Sequence, residues 1–314
     1  MNKHFADEVI EAVKNKGNAI CVGLDPRLNK IPAVIKKQAI SECEGSPFRA
    51  AADAIIAFNK GIIDAVADLV PVVKPQIAFY EIYGHEGVRA YEETLKYSKS
   101  KGLITIADAK RNDIGTTAEA YAQAFLGEVS VFEQEDEVVM PVFDADSITL
   151  NPYMGWDSIK PFVDEGKRYG KGVFVLLKTS NKSSGDLQDL EMADGKPLYN
   201  LVSYLIDSWG ADEIGKSGYS LVGAVVGATY PDQAKILRKM MPNTIFLVPG
   251  YGAQGGGAAD VKPCFNADGL GALVNNSRGI IFAYEELEGF GPENYADAAR
   301  VAVQNMKRDL DTIM

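Results

Sequence analysis

Eight short apolar runs separated by stretches of helical periodicity constrain this chain more than any other feature. They are Ala19–Leu24, Val70–Lys74 continued by Ile77–Tyr80, Leu103–Ala109, Ser147–Leu150, Gly172–Leu177, Leu221–Val226, Thr244–Val248 and Gly271–Val274. Runs this short and this apolar read as strands buried on both faces. Between them lie Ala50–Val66, Gly87–Ser100, Thr117–Leu126 and Tyr230–Met240, where apolar residues recur three and four apart. That is the period of a helix with one buried face. Alternating strands and helices require a parallel sheet covered by helices. Eight such units in about 250 residues is the size of a (β/α)8 TIM barrel. A doubly wound open sheet is the structural alternative. No proline- or serine-rich linker divides the 314 residues, so a single domain spanning 1–314 is expected. Three stretches exceed what the scaffold needs: Asn29–Ser46, Gly127–Asp146 and Lys182–Pro197. Their mixed charge marks them as solvated insertions, and long loops of this kind also serve as lids.

Bulk composition removes several classes of function. Hydrophobic residues make up 46% and charged residues 24%, which suits a soluble globular protein with a sizeable core. No apolar run approaches the ~18 residues that would span a bilayer. The first residues, Met1 to Gly17, are charged throughout and carry Phe5, Val9 and Val13 on one helical stripe. They read as a surface helix rather than a signal peptide, so a cytoplasmic location is expected. Cys21, Cys43 and Cys264 show no CxxC spacing, which argues for reduced thiols and against a zinc site. The two histidines, His4 and His85, lie in no motif, so a His-rich metal site is excluded. The net charge of −11, with an acidic run at Glu133–Glu137, repels nucleic acid and anionic membranes. A phosphorylated ligand would need a local positive site.

The densest chemistry is Asp108-Ala109-Lys110-Arg111-Asn112-Asp113-Ile114, directly after the third apolar run. Side chains alternate along a strand, so Asp108 and Lys110 face the same way, and Asp113 follows in the loop. Such a cluster is costly unless its charges pair or act on a ligand. Lys74 sits inside the second apolar run, where an unpaired lysine is rare. Pointing inward, it would complete an alternating Lys-Asp-Lys-Asp array with both acids ionised. The alternative, a lysine snorkelling to the surface, fits less well with the apolar residues on either side.

In a barrel the loops after the strands open on one face, and catalytic groups sit there. Strand one ends Leu24-Asp25-Pro26, where Asp25 could accept from ligand hydroxyls or simply form a turn. Strand four ends Thr149-Leu150-Asn151-Pro152, which could offer polar edges but also makes a plain turn. Strand five ends Lys178-Thr179-Ser180-Asn181, a row suited to a flat hydrogen-bonding base or, equally, to turn chemistry. Strand seven ends Pro249-Gly250-Tyr251-Gly252-Ala253-Gln254-Gly255, and its glycines would let backbone amides approach a phosphate. The GxGxxG pattern there comes too late in the chain for a dinucleotide fingerprint. Strand eight ends Asn275-Asn276-Ser277-Arg278-Gly279, placing Arg278 at the usual barrel phosphate site.

Together these residues resemble the orotidine 5′-phosphate decarboxylase family, from Cys21 to Phe282. The Asp108-x-Lys110-x-x-Asp113-Ile114 string carries the signature, supported in order by Val22-Gly23-Leu24-Asp25, Lys74, the Pro249–Gly257 loop with Gln254, and Arg278-Gly279. The long loops and Lys178-Thr179-Ser180-Asn181 look like the longer branch of the family. The resemblance implies decarboxylation of orotidine 5′-monophosphate to uridine 5′-monophosphate, the last step of de novo pyrimidine synthesis, with no metal and no cofactor. It makes Lys74, Asp108, Lys110 and Asp113 the catalytic tetrad. Asp113 and Thr117 would reach into the neighbouring site of a homodimer. Asp25 and Lys74 would hold ribose hydroxyls, Thr179 and Ser180 would read the pyrimidine edge, and Gln254, Tyr251 and Arg278 would grip the phosphate. Gln76 departs from the family pattern after the strand lysine. Two further readings stay open. One is a Mg2+-dependent sugar-phosphate decarboxylase on the same barrel, in which Lys74 would oppose the metal. The other is a non-catalytic phosphonucleotide-binding protein.

Overall fold

In the computed structural model, residues 4–132, 138–252 and 255–313 are described. The acidic run at 133–137 and Gln254 lie outside the described residues. Eight parallel strands close into a barrel: β1 (Ile20–Leu24), β2 (Val72–Pro75), β3 (Ile104–Arg111), β4 (Ser147–Leu150), β5 (Gly172–Lys178), β6 (Val222–Val226), β7 (Phe246–Val248) and β8 (Ala272–Asn276). Each strand pairs with the next in sequence, and β8 closes on β1 through Ile20 opposite Val274. The fold is the (β/α)8 barrel expected from the alternation, not the open sheet. All five residues of β1, β6 and β8 are buried, as both faces of a helix-covered parallel sheet must be.

The expected helices appear at Pro47–Val66, Gly84–Ser100, Gly115–Leu126 and Pro231–Met240. Ser46 caps the first of these, accepting from Arg49 N–H, and Pro47 at its first position costs no hydrogen bond. The amino-terminal helix Phe5–Lys16 buries Phe5, Val9 and Val13, the stripe read from the sequence. Phe5 packs edge-on against Phe174 and lies where a Cβ on Gly172 would stand, so only glycine fits at the start of β5. Burying each of these three side chains contributes about 1.5–3 kcal/mol.

One apolar run is not a strand. Ile77 N–H donates to Asp108 O, and the chain then turns into the short helix Ala78–Glu81. A four-residue apolar run has no period of its own, so the contact with β3 decides its conformation. The insertions also carry structure: helix Ala33–Glu42 in the first, an antiparallel pair Val129–Val131 with Val138–Met140 in the second, and helix Gly185–Gln188 in the third. Among the described residues, no helix is long and apolar enough to cross a membrane.

Candidate active site

The carboxyl ends of β2 and β3 bring three charges into contact. Asp108 Oδ2 accepts from Lys74 Nζ at 2.8 Å, and Asp108 Oδ1 accepts from Lys110 Nζ at 2.5 Å. Lys74 and Asp108 are buried, whereas the Lys110 side chain is 44% exposed and so is the cation open to a ligand. Burial alone would push the Asp108 carboxyl up, but the two ammonium groups outweigh it and hold it well below the usual carboxylate range. Burial would likewise depress Lys74, but the charges of Asp108 and Asp25 raise it above the ordinary lysine value. Both groups are therefore ionised at neutral pH.

The local backbone is as unusual as the charges. Lys110 has φ 49°, a left-handed conformation that a side-chain-bearing residue adopts only where its surroundings impose it. The β3–β4 register shifts between Ala107 and Arg111, so β3 bulges where the charged side chains sit. Thr149 on β4 fills the gap. Its Oγ1 accepts from the N–H groups of Ala109 and Lys110 and donates to Asp108 Oδ1.

Two cavities meet at this triad. One, of about 450 Å3, is lined by Lys74, Asp108, Lys110, Thr149, Thr179 and Ser180. The other, of about 340 Å3, is lined by Asp25, Lys74, Asp108, Tyr251, Asn276 and Arg278. Lys74, Asp108 and Pro249 belong to both linings. The second lobe holds several buried polar atoms with no hydrogen-bond partner: Asp25 Oδ1, Asn275 Oδ1, Asn276 Oδ1 and Ser277 Oγ. Buried groups of this kind are normally satisfied, so a set of them around one cavity marks a place for a polar ligand or water.

The sequence-derived residues are distributed as follows. Asp25, Lys74, Asp108, Lys110, Thr179, Ser180, Tyr251 and Arg278 all line the two lobes. Asp113 and Thr117 do not join them: Asp113 Oδ1 accepts from Ile114 N–H, and Thr117 is exposed on helix Gly115–Leu126. The Tyr251 hydroxyl donates to Asp309 Oδ2 on the carboxy-terminal helix. The loop after β7 turns through Gly250, Gly252 and Gly255, all at positive φ, so these three positions need glycine for the backbone itself.

Three contributors were not singled out from the sequence. Asn276 is wedged between the loops after β7 and β8, with a Cβ on either Gly252 or Gly279 within 3.3 Å of its amide. Gln188, from the third insertion, accepts from Thr179 N–H and donates to Thr179 Oγ1, closing over the first lobe. Lys178, fully buried at the end of β5, donates to both carboxylate oxygens of Asp189 at 2.8 and 3.0 Å beneath the Tyr230 ring. It anchors that same insertion. For Gln188 and Asp189 the only signal was an unexplained loop beside a strand end.

An ion triad at the carboxyl mouth of a (β/α)8 barrel, between two polar lobes and with Lys74 and Asp108 buried and Lys110 exposed, defines a barrel enzyme with its site where such enzymes keep it. Within that class the chain belongs to the Orotidine 5′-phosphate decarboxylase / HUMPS family, whose profile matches residues 18–288. It is 44% identical over 309 residues to the orotidine 5′-phosphate decarboxylase of Rhodopirellula baltica, covering 98% of both chains. It is 41% identical over 308 residues to that of Caldicellulosiruptor bescii, again covering 98% of both. Among solved structures, the OMP decarboxylase of Leishmania donovani superposes with a TM-score of 0.71 at 32% identity, covering 99% of this chain and 98% of that one.

Proposed function

We propose that this protein decarboxylates orotidine 5′-monophosphate to uridine 5′-monophosphate and CO2, the closing step of pyrimidine nucleotide synthesis, without a metal or organic cofactor. The observation that carries the reading is the position of the Lys74–Asp108–Lys110 triad at the junction of two lobes. The lobe with Thr179 and Ser180 suits the edge of a pyrimidine, and the lobe with Arg278 suits a phosphate. The ribose then spans the junction beside Asp25 and Lys74, whose oxygen and ammonium complement its hydroxyls.

In this pose the substrate carboxylate on C6 lies against Asp108 and Lys110. The C6–carboxyl bond breaks, CO2 departs, and the electron pair stays on C6 in the ring plane, where the π system cannot take it up. The Lys110 ammonium stabilises that pair electrostatically and then gives C6 its proton. Because Lys110 is already aligned by Asp108, little reorganisation is needed as charge develops. Binding energy from the remote phosphate is available to draw the loops closed and assemble the site.

Asp113 and Thr117 act in the neighbouring subunit's site of a homodimer. Asp113 is half-buried and Thr117 exposed, and the exposed apolar Ile114, Met140, Tyr153 and Met154 lie on segments after β3 and β4, which supports a partner on that face. Gln254 and Tyr251 join Arg278 at the phosphate, for which Tyr251 would first leave Asp309. One barrel unit of 314 residues working in the cytoplasm, with no nucleic-acid or membrane partner, completes the reading.

The test is the fall in pyrimidine absorbance when orotidine 5′-monophosphate is added, with and without a chelator. The decay should be unaffected by chelator and abolished in Lys110→Ala, while uridine 5′-monophosphate still binds. Near-normal turnover in Lys110→Ala would refute the mechanism. Loss of activity to the chelator, restored by Mg2+, would favour metal-assisted chemistry instead.

A further inference from the structure

We infer that Thr149 is a positioning residue for the reaction: its hydroxyl holds the left-handed backbone at Lys110 and the carboxylate of Asp108 in one working geometry. This rests on the role proposed for Lys110.

The argument begins with the sheet register. Ile106 and Ala107 on β3 stand opposite Ser147 and Ile148 on β4, but the next pair is Arg111 with Leu150. Asp108, Ala109 and Lys110 are therefore matched on β4 by Thr149 alone. A strand that bulges in this way takes its amides out of the ladder, and buried N–H groups need another acceptor. The Thr149 hydroxyl is that acceptor for two of them, Ala109 N–H and Lys110 N–H, each at 3.0 Å.

A hydroxyl has two acceptor sites and one proton. With both acceptor sites filled by amides, the proton has one remaining direction, and Asp108 Oδ1 lies there at 2.9 Å. The orientation of the carboxylate is thus dictated by the backbone it belongs to. That same Oδ1 receives Lys110 Nζ, while Oδ2 receives Lys74 Nζ. Thr149 is 1% exposed, so water has little access to substitute for it. Valine has the same shape and the same fit to a strand but lacks this chemistry.

Without the hydroxyl, Lys110 keeps its charge but loses the constraint on where its ammonium stands. A misplacement on the order of 1 Å costs roughly 100-fold in rate. Such a loss falls on kcat, because the contacts that bind pyrimidine and phosphate are elsewhere.

The test compares Thr149→Val and Thr149→Ser with wild type in steady-state kinetics and amide hydrogen exchange. Thr149→Val should lower kcat roughly 10- to 100-fold with KM for orotidine 5′-monophosphate changed little. It should also speed exchange at Ala109 and Lys110 relative to their neighbours, and Thr149→Ser should restore both. If Thr149→Val does not fold, Thr149→Ala carries the same expectation. A kcat within twofold of wild type, or a loss that serine does not restore, would overturn the inference. A wild-type protein inactive on this nucleotide would refute the proposed function instead, and exchange at Ala109 and Lys110 would then decide the role of Thr149 by itself.

Discussion

Tyr251 donates its hydroxyl hydrogen to Asp309 Oδ2 at 2.5 Å, so the loop after β7 is tied to the carboxy-terminal helix rather than to the lobe it borders. Burial and the adjacent Asp309 carboxylate push the phenol well above its ordinary pKa, so it remains a neutral donor. Arg278, at the start of the short helix Arg278–Ile281 after β8, then carries most of the phosphate's charge in the proposed pose. Removing a charged contact costs about 2–5 kcal/mol. Arg278→Ala should therefore lower kcat/KM by roughly 30-fold to several thousand-fold. Tyr251→Phe, which removes one hydrogen bond from a neutral donor to an anion, should cost about 1.5–3 kcal/mol. Steady-state kinetics on both variants checks the order, and a larger loss in Tyr251→Phe would reverse the assignment.

A site shared between subunits predicts complementation. Lys110→Ala and Asp113→Ala should each be inactive alone. In a mixed dimer, one site would combine an intact Lys110 with an intact Asp113 from the other chain. Unfolding and refolding the two variants together in equal amounts should restore roughly a quarter of wild-type activity, since half the dimers are mixed and half their sites intact. Absence of any recovery from well-folded mixed dimers would place Asp113 outside the partner's site.

The depressed carboxyl of Asp108 sets a direction for stability against pH. Its folded pKa lies below the unfolded value of about 3.9, so its stabilisation is complete above that value and is lost progressively as pH falls from there through the folded pKa. Lys74 is shifted upward, so its share is complete below about 10.4 and lost only above that. At pH 7, Asp108→Asn leaves a buried ammonium without its counter-ion and should destabilise by about 3–5 kcal/mol. Urea denaturation of both proteins should show that gap flat from about pH 5 to 9 and narrowing below about pH 4. A gap that widens toward acid would contradict the pairing.

The barrel was legible because each buried strand leaves a short apolar run and each covering helix leaves a stripe, and the two periods differ. The run at Ile77–Tyr80 misled because its conformation is set by the hydrogen bond from Ile77 N–H to Asp108 O, which lies far along the chain on β3. The charges of the site were legible for the opposite reason: Lys74, Asp108 and Lys110 stand out against apolar neighbours. Thr149 did not, since threonine is an ordinary strand residue and its work depends on a register shift in the adjacent strand. Asp113 and Thr117 show where a single chain ends as a source of information: neither lines the two lobes of its own barrel, and the role proposed for them needs a second copy.

Lys178 adds a constraint on how such proteins can vary. Its ammonium has no exposed side-chain surface, and its carboxylate partner Asp189 comes from the third insertion rather than from the barrel. That insertion is therefore not a detachable ornament. A shortened or transplanted version that omits the acid would strand a cation inside the wall of the barrel, at the residue preceding Thr179. Redesign of this loop to admit altered bases has to keep residue 189 acidic or make residue 178 uncharged in the same step.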